Sequence, residues 1–142
     1  METHERRNID LLVNRFWKHG FFTVYRKYGT YLPEPTKVGK FDIDVVARLK
    51  NKYAIGITIN KNDLINSNLQ EKILYLATRH TKKSNEPVQL FIGVPTLYFK
   101  RVKTVFSSLP VDVQKNIKLI QIPMEDDLSL KRKRRKEKPL FA

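Results

Sequence analysis

The chain has 142 residues, the length of one ordinary domain, and 41% of them are apolar, which is enough to bury a core and excludes a wholly disordered protein. Its 28 Lys and Arg residues against 14 Asp and Glu give a net charge of +14, and such a charge attracts polyanions, nucleic acid before an anionic membrane surface. The sequence has no cysteine, so disulfides and thiol chemistry are excluded, and no apolar run approaches the ~20 residues of a membrane span. We therefore predict an intracellular protein without a membrane span, cytoplasmic or, in a eukaryote, nuclear.

The first predicted element is a helix over residues 3–19. Its apolar residues recur at helical spacing and form one buried stripe, and Gly20 ends it: Ile9, Leu12, Val13, Phe16 and Trp17. The β-branched and aromatic run at 21–25 predicts a strand, followed by a loop over 29–39 that contains Gly and Pro.

A hairpin is predicted next, because residues 40–49 and 53–59 both alternate in polarity around a short polar turn. A three-residue turn centred on Asn51 would place Asp44 opposite Thr58, and Asp42 opposite Asn60, all on one side. The other side would be the buried one, with Phe41, Ile43, Val45, Ala47, Ile55, Ile57 and Ile59. On the polar side the small residues Ala54 and Gly56 predict a shallow floor.

The remaining elements are a helix over 62–83 with a basic flank, a buried strand over 88–94, a helix over 96–108 and a strand over 117–122. The order α-β-β-β-α-β-α-β indicates an α/β protein with a mixed sheet and helices on the sheet faces. After it, residues 131–138 hold seven bases and one acid, which is typical of a solvated arm. We predict a domain over 1–123, where 21 bases against 10 acids leave +11, and a disordered basic tail over 124–142. The tail is either a nonspecific polyanion-binding or solubilising arm or a nuclear address.

Asp42 and Asp44 are the residues that indicate chemistry. Two aspartates on one side of a strand are hard oxygen ligands of the type that Mg²⁺ and Mn²⁺ accept. Glu5 lies in register with the buried stripe of the first helix and would point toward the sheet. The alternatives are a solvent-facing strand made polar by alternation, and a helix-terminal acid that offsets the helix dipole.

These segments resemble the restriction-endonuclease-like PD-(D/E)xK nucleases, and among them the archaeal-type Holliday junction resolvases. The resemblance covers residues 1 to about 122 and is carried by GKFDIDVVA at 39–47, YAIGITINK at 53–61, HERR at 4–7 and GFFTVYR at 20–26. It implies a restriction-endonuclease-like fold, a Mg²⁺- or Mn²⁺-dependent endonuclease that acts on DNA, including branched DNA, and a homodimer, since a branched substrate offers two equivalent strands.

Position by position, the resemblance makes Asp44 the motif aspartate, Glu5 the acid of the first helix and Arg26 the basic residue after the first strand. Asp44, Asp42 and Glu5 would hold the metal. The departure lies on the third strand, where Thr58-Ile59-Asn60 replaces the family's Glu-x-Lys. Asn60 cannot supply the ammonium that stabilises developing negative charge. Lys61 could replace it through a bulge, and Asp42 could replace the acid, whereas Glu71 lies too far round its helix.

Three hypotheses about function follow. The first is a metal-dependent endonuclease with Glu5, Asp42, Asp44, Thr58, Asn60 and Lys61 in its active site. The second is a protein of the nuclease fold that has lost hydrolysis and binds nucleic acid, DNA in preference to RNA. The third is a basic interaction protein that binds an acidic partner or a membrane surface. The candidate nucleic-acid-binding residues are Arg6, Arg7, Arg26, Lys27, Lys40, Lys61 and Lys72.

Overall fold

A computed structural model of the chain describes residues 2–65 and 68–123, with side chains from Glu5 onward. The predicted α/β class with a mixed sheet and surrounding helices is confirmed, whereas the predicted tail at 124–142 lies outside the described residues. The strands are β1 (Phe22–Arg26), β2 (Val45–Leu49), β3 (Lys52–Thr58), β4 (Gln89–Pro95) and β5 (Ile117–Ile122). The helices are α1 (Glu2–Lys18), α2 (Lys61–Ile65), α3 (Leu69–Ala77), α4 (Phe99–Ser107) and α5 (Val111–Lys115), and a 3-10 turn covers Thr96–Tyr98.

The five strands form one open sheet in the order β1-β2-β3-β4-β5. The pairs β1–β2 and β2–β3 are antiparallel, and the pairs β3–β4 and β4–β5 are parallel. Parallel neighbours require crossover connections, and α2 with α3, and α4 with α5, supply them. Within residues 2–65 and 68–123, no helix combines the length and apolar character that a membrane crossing needs.

Both faces of the sheet are buried. On one face α1 packs Ile9, Leu12 and Phe16 of its predicted stripe, and Phe16 stacks on Phe91 of β4 with ring centroids 4.2 Å apart. Trp17 is exposed, so the prediction that it belongs to the buried stripe was wrong. The opposite face belongs to a second cluster that α3 and α4 cover. Its strand residues are Ile55, Ile57, Leu90, Ile92, Val94 and Ile117.

The hairpin register differs from the predicted one. Leu49 pairs with Lys52 and Val45 pairs with Gly56, so the turn has two residues rather than three, and Lys50 adopts a positive φ of 55° to close it. A shift of one residue moves side chains to the other face. Val45 therefore lies on the α1 face, and the prediction that it shares a side with Ile55 was wrong.

The predicted shallow floor was also wrong. Gly56 lies under α1, where an added Cβ would come within 2.6 Å of Phe16 Cε2 and 2.9 Å of Leu12 Cδ2, and Ala54 is fully buried on the same face. The polarity pattern could not reveal this because small residues fit equally well under a tightly packed helix and in an open groove.

Two further segments depart from prediction. The strand expected over 40–49 begins only at Val45, after a single bridge between Val38 and Phe41. The helix expected over 62–83 is two short helices instead, and α3 ends at Ala77, where the Thr78 hydroxyl donates to the Leu74 carbonyl oxygen. Polar residues such as Asn and Thr compete for backbone hydrogen bonds and therefore favour helix ends. The helix α5 was not predicted, because five residues are too few to show a periodicity.

Replacing Gly56 with Ala tests the close packing of α1 on the sheet. We expect Gly56→Ala to lower the free energy of unfolding by about 1–3 kcal/mol, the usual cost of an added methyl in a filled core, as measured by urea denaturation. Combined with Phe16→Leu, the two substitutions should cost less than their sum, because the smaller side chain makes room. An unchanged urea midpoint in Gly56→Ala would mean that the floor is open after all.

Candidate functional site

Polar side chains from six segments meet at the end of the sheet where β3 finishes. They surround a cleft of about 170 Å³, which we call the carboxylate cleft. Its charged residues are Glu5 of α1, Lys27 after β1, Asp42 and Asp44 before β2, Asp63 of α2 and Lys72 of α3. Asn8, Thr58 and Asn60 complete its polar lining.

Asp44 occupies the point where the hairpin strands part. Its backbone N–H donates to the Gly56 carbonyl oxygen at 2.9 Å, and its carbonyl oxygen accepts from the Lys27 N–H at 2.9 Å. Its Oδ2 accepts from both the backbone N–H of Thr58, at 2.7 Å, and the Thr58 hydroxyl, at 2.9 Å. The Thr58 N–H lies beyond the last paired residue of β2, so the carboxylate replaces the missing ladder partner.

The second oxygen of Asp44 is also engaged. Lys27 Nζ lies 3.4 Å from Oδ1, and the Asp44 side chain is only 13% exposed. An ion pair this close to the protein interior is stronger than one in open solvent, because water screens it less. Asp44 therefore has a hydrogen-bonding role at one oxygen and a charge-neutralising partner at the other.

Asn60 is the N-terminal cap of α2. Its Oδ1 accepts from the Asp63 N–H at 3.0 Å, while Asp63 Oδ2 accepts from the Asn60 N–H at 2.8 Å. This reciprocal pair is a capping box, which satisfies two otherwise unpaired donors at a helix start. Asn60 thus has a structural role that a Lys could not fill, because a Lys side chain has no oxygen to accept the Asp63 N–H.

Asp63 was not among the predicted site residues, although the Asn-x-x-Asp spacing of a capping box is legible in the sequence. Its other oxygen lies 3.6 Å from Lys72 Nζ, and both side chains are 17% exposed. Lys72 was predicted to bind nucleic acid from the surface, but its ammonium is turned into the cleft. The cleft therefore holds an additional acid and an ammonium that the strand motif lacks.

The three predicted metal ligands share the cleft without converging. Glu5 accepts a hydrogen bond from the Tyr28 hydroxyl at 2.7 Å, Asp44 is held by Thr58 and Lys27, and Asp42 is exposed. Across the described ranges, no three His, Asp or Glu side chains are grouped closely enough to hold a metal ion. Oxygen donors suit Mg²⁺, but an arrangement in which ammonium groups neutralise the inner carboxylates does not fit a divalent ion.

The other predicted residues lie around the cleft. Lys61 is the exposed first residue of α2 and does not line it. Arg7 donates to the Pro123 carbonyl oxygen at 3.0 Å, and Arg26 forms an ion pair with Asp10. Arg6 lines a surface depression that is separate from the cleft. Lys40 pairs with Glu71 at 3.2 Å, and both are more than half exposed, so Glu71 does not replace the missing motif acid.

Comparison with protein-family models, with curated proteins and with solved structures finds no match to this chain. The resemblance to the PD-(D/E)xK nucleases therefore stays a prediction, and the function must be inferred from the cleft and the surrounding charge.

The structural role of Asp44 can be measured against Asp42, which lies two residues away and is exposed. We expect Asp44→Ala to lower the free energy of unfolding by about 1–3 kcal/mol, because the partly buried Thr58 N–H and the Lys27 ammonium lose their partner. Asp42→Ala should change it by less than about 0.5 kcal/mol, as surface substitutions usually do. Urea denaturation of both variants tests this, and equal stabilities would contradict the role assigned to Asp44.

Proposed function

We propose that this protein is a nucleic-acid-binding protein of the PD-(D/E)xK nuclease fold, which binds DNA in preference to RNA and does not cut it. The observation that carries the proposal is the division of charge between cleft and surface. The side chains that the structure describes include 21 bases and 9 acids, of which the cleft takes two lysines and four carboxylates. Nineteen bases against five acids remain outside it, and an excess of this size attracts the phosphate backbone. The preference for DNA rests on the family resemblance.

The contacts that the cleft residues already make support the proposal that the protein does not cut DNA. Thr58 carries no charge and donates to Asp44, and Asn60 caps α2. Lys27 neutralises Asp44, the residue that the resemblance makes the central metal ligand. A nuclease of this type needs a bound cation to stabilise charge on the phosphate and to activate water, and the carboxylates of the cleft do not gather to hold one.

A metal-dependent endonuclease or resolvase is the second candidate, and the pair Asp63–Lys72 favours it. This pair brings a carboxylate and an ammonium into the same cleft as Asp44, the same chemical groups as the Glu and Lys that β3 lacks. Hydrolysis would require Asp44 to exchange Lys27 for a metal ion, so the two candidates differ in an experiment on cleavage.

We expect the full chain to bind labelled duplex and four-way-junction DNA with an affinity that falls steeply with salt. The logarithm of the affinity should fall by about 0.9 per phosphate contact for each tenfold rise in salt, because bound counterions are released. Fluorescence anisotropy between 50 and 300 mM salt, roughly the range in which such contacts weaken, measures the slope. Duplex RNA, polyglutamate and anionic vesicles are the comparison ligands. An affinity for DNA that does not change with salt concentration, or equal affinity for polyglutamate and vesicles, would contradict the proposal.

The cleavage experiment separates the two candidates. We expect no product from labelled junction, flap or duplex DNA with Mg²⁺ or Mn²⁺, because Asp44 is neutralised by Lys27. Asp44→Asn and Lys72→Met serve as paired variants, and gel analysis of the DNA is the measurement. If the wild-type protein cuts while both variants fail, the second candidate is correct and the first is wrong.

A further inference from the structure

A second surface lies at the opposite end of the sheet from the carboxylate cleft. Trp17, near the end of α1, is 62% exposed, and Phe22, the first residue of β1, is 61% exposed. Their rings meet edge to face with centroids 5.4 Å apart. Exposure of large aromatic side chains to water is unfavourable, so an exposed aromatic pair is a candidate binding site.

The strand register extends this pair into a row. Phe22 lies opposite Arg48 on β2, and Arg48 lies opposite Tyr53 on β3, so the three side chains share the sheet face opposite α1. Trp17 of α1 joins them through its contact with Phe22 on the edge strand β1. The Arg48 guanidinium lies 5.6 Å from the centre of the Tyr53 ring. We call Trp17, Phe22, Arg48 and Tyr53 the aromatic–basic surface.

The chain segments that form this surface carry charge of one sign. The sequence has no Asp or Glu at 11–33 or at 45–62, the segments that form the end of α1, β1 and the hairpin turn. Among the side chains that the structure describes, no carboxylate forms an ion pair with the exposed cations of these segments, which are Arg15, Lys18, Arg48, Lys50 and Lys52. The surface thus combines flat aromatic rings with unneutralised positive charge.

The aromatic–basic surface is distinct from the cleft. Glu5 and Trp17 are twelve residues apart on α1, which is roughly 18 Å at 1.5 Å per residue. Lys52 and Thr58 lie at opposite ends of β3, also about 20 Å apart at 3.3 Å per residue. Occupation of one site therefore leaves the other accessible.

We propose that the aromatic–basic surface binds single-stranded DNA, with unpaired bases stacked on Trp17 and Phe22 and phosphates near Arg48 and Lys18. This combination of stacking rings and cations is what a strand with exposed bases fits. A duplex keeps its base faces stacked inside and offers them only at its ends. A second copy of the chain fits poorly, because a symmetric contact would bring the same cations together. The inference rests on the proposed function and adds the class of nucleic acid.

Trp17 is the only tryptophan in the chain, so its fluorescence reports directly on this surface. We expect a dT₂₀ strand to quench the emission of the full-length protein, because a stacked base excludes water and interacts with the indole. An abasic strand of the same length has the same phosphates without bases. It should bind with little quenching.

Two variants and one control complete the test. Trp17→Ala and Phe22→Ala should each weaken binding of dT₂₀ by roughly 5- to 150-fold, the range for losing a stacked base, and leave binding of the abasic strand nearly unchanged. Leu97→Ala removes a side chain that is 69% exposed elsewhere and should change neither. Because all three side chains are exposed, urea midpoints should remain close to that of the wild type.

The outcomes distinguish the inference from the proposed function. If dT₂₀ binds without quenching, or if Trp17→Ala weakens both strands equally, the stacking site is wrong although nucleic-acid binding stands. If neither strand nor duplex binds, the proposed function fails first. A concentration-dependent dimer in sedimentation that Trp17→Ala dissociates would assign the surface to a second copy and overturn the inference.

Discussion

The Asp44 carboxylate holds together the end of the sheet on which the cleft depends. Beyond Val45 and Gly56 the hairpin strands no longer pair, and the Thr58 N–H would be left without an acceptor if Asp44 did not provide one. The same residue binds the segment after β1 through its carbonyl oxygen and through the Lys27 ammonium. A single short side chain thus fixes three chain segments, and this explains why an aspartate belongs here whether or not the protein performs chemistry.

The class and order of the main elements could be predicted from the sequence, because their apolar periods are long enough to be distinct. The stripe that includes Ile9 and Phe16 is the buried face of α1, and the predicted strands at 88–94 and 117–122 agree with β4 and β5. The register could not be predicted. It depends on whether the turn at Asn51 has two residues or three, and one residue reverses the faces. The alternation of polarity along the strands could not indicate the correct register, since helices cover both faces of the sheet.

The composition of the cleft was more predictable than its connections. Glu5, Asp42, Asp44, Thr58 and Asn60 were expected together, and all of them line it. The lysines that pair with the carboxylates, Lys27 and Lys72, were not expected as partners, because an apolar period in the sequence does not specify the geometry of their segments. Lys27 follows β1 in a turn, where Tyr28 has a φ of 59°. Lys72 faces inward because α3 begins afresh at Leu69, and a new start resets the angular position of every later residue.

The carboxylate cleft and the aromatic–basic surface differ in charge, and this contrast limits where a polyanion can lie. At the cleft, four carboxylates outnumber two lysines, so a phosphate that approaches Glu5 and Asp42 meets repulsion unless a cation intervenes. In the described part of the chain, no carboxylate forms an ion pair with Arg48 or with Lys18. A strand bound without a metal ion is therefore expected to follow the basic exterior and to avoid the cleft. A cation that occupied the cleft would remove that barrier, so the ion that permits cutting would also permit close approach. Under the proposed function, binding of nucleic acid does not require a metal ion, because the carboxylate cleft and the aromatic–basic surface lie at different ends of the sheet.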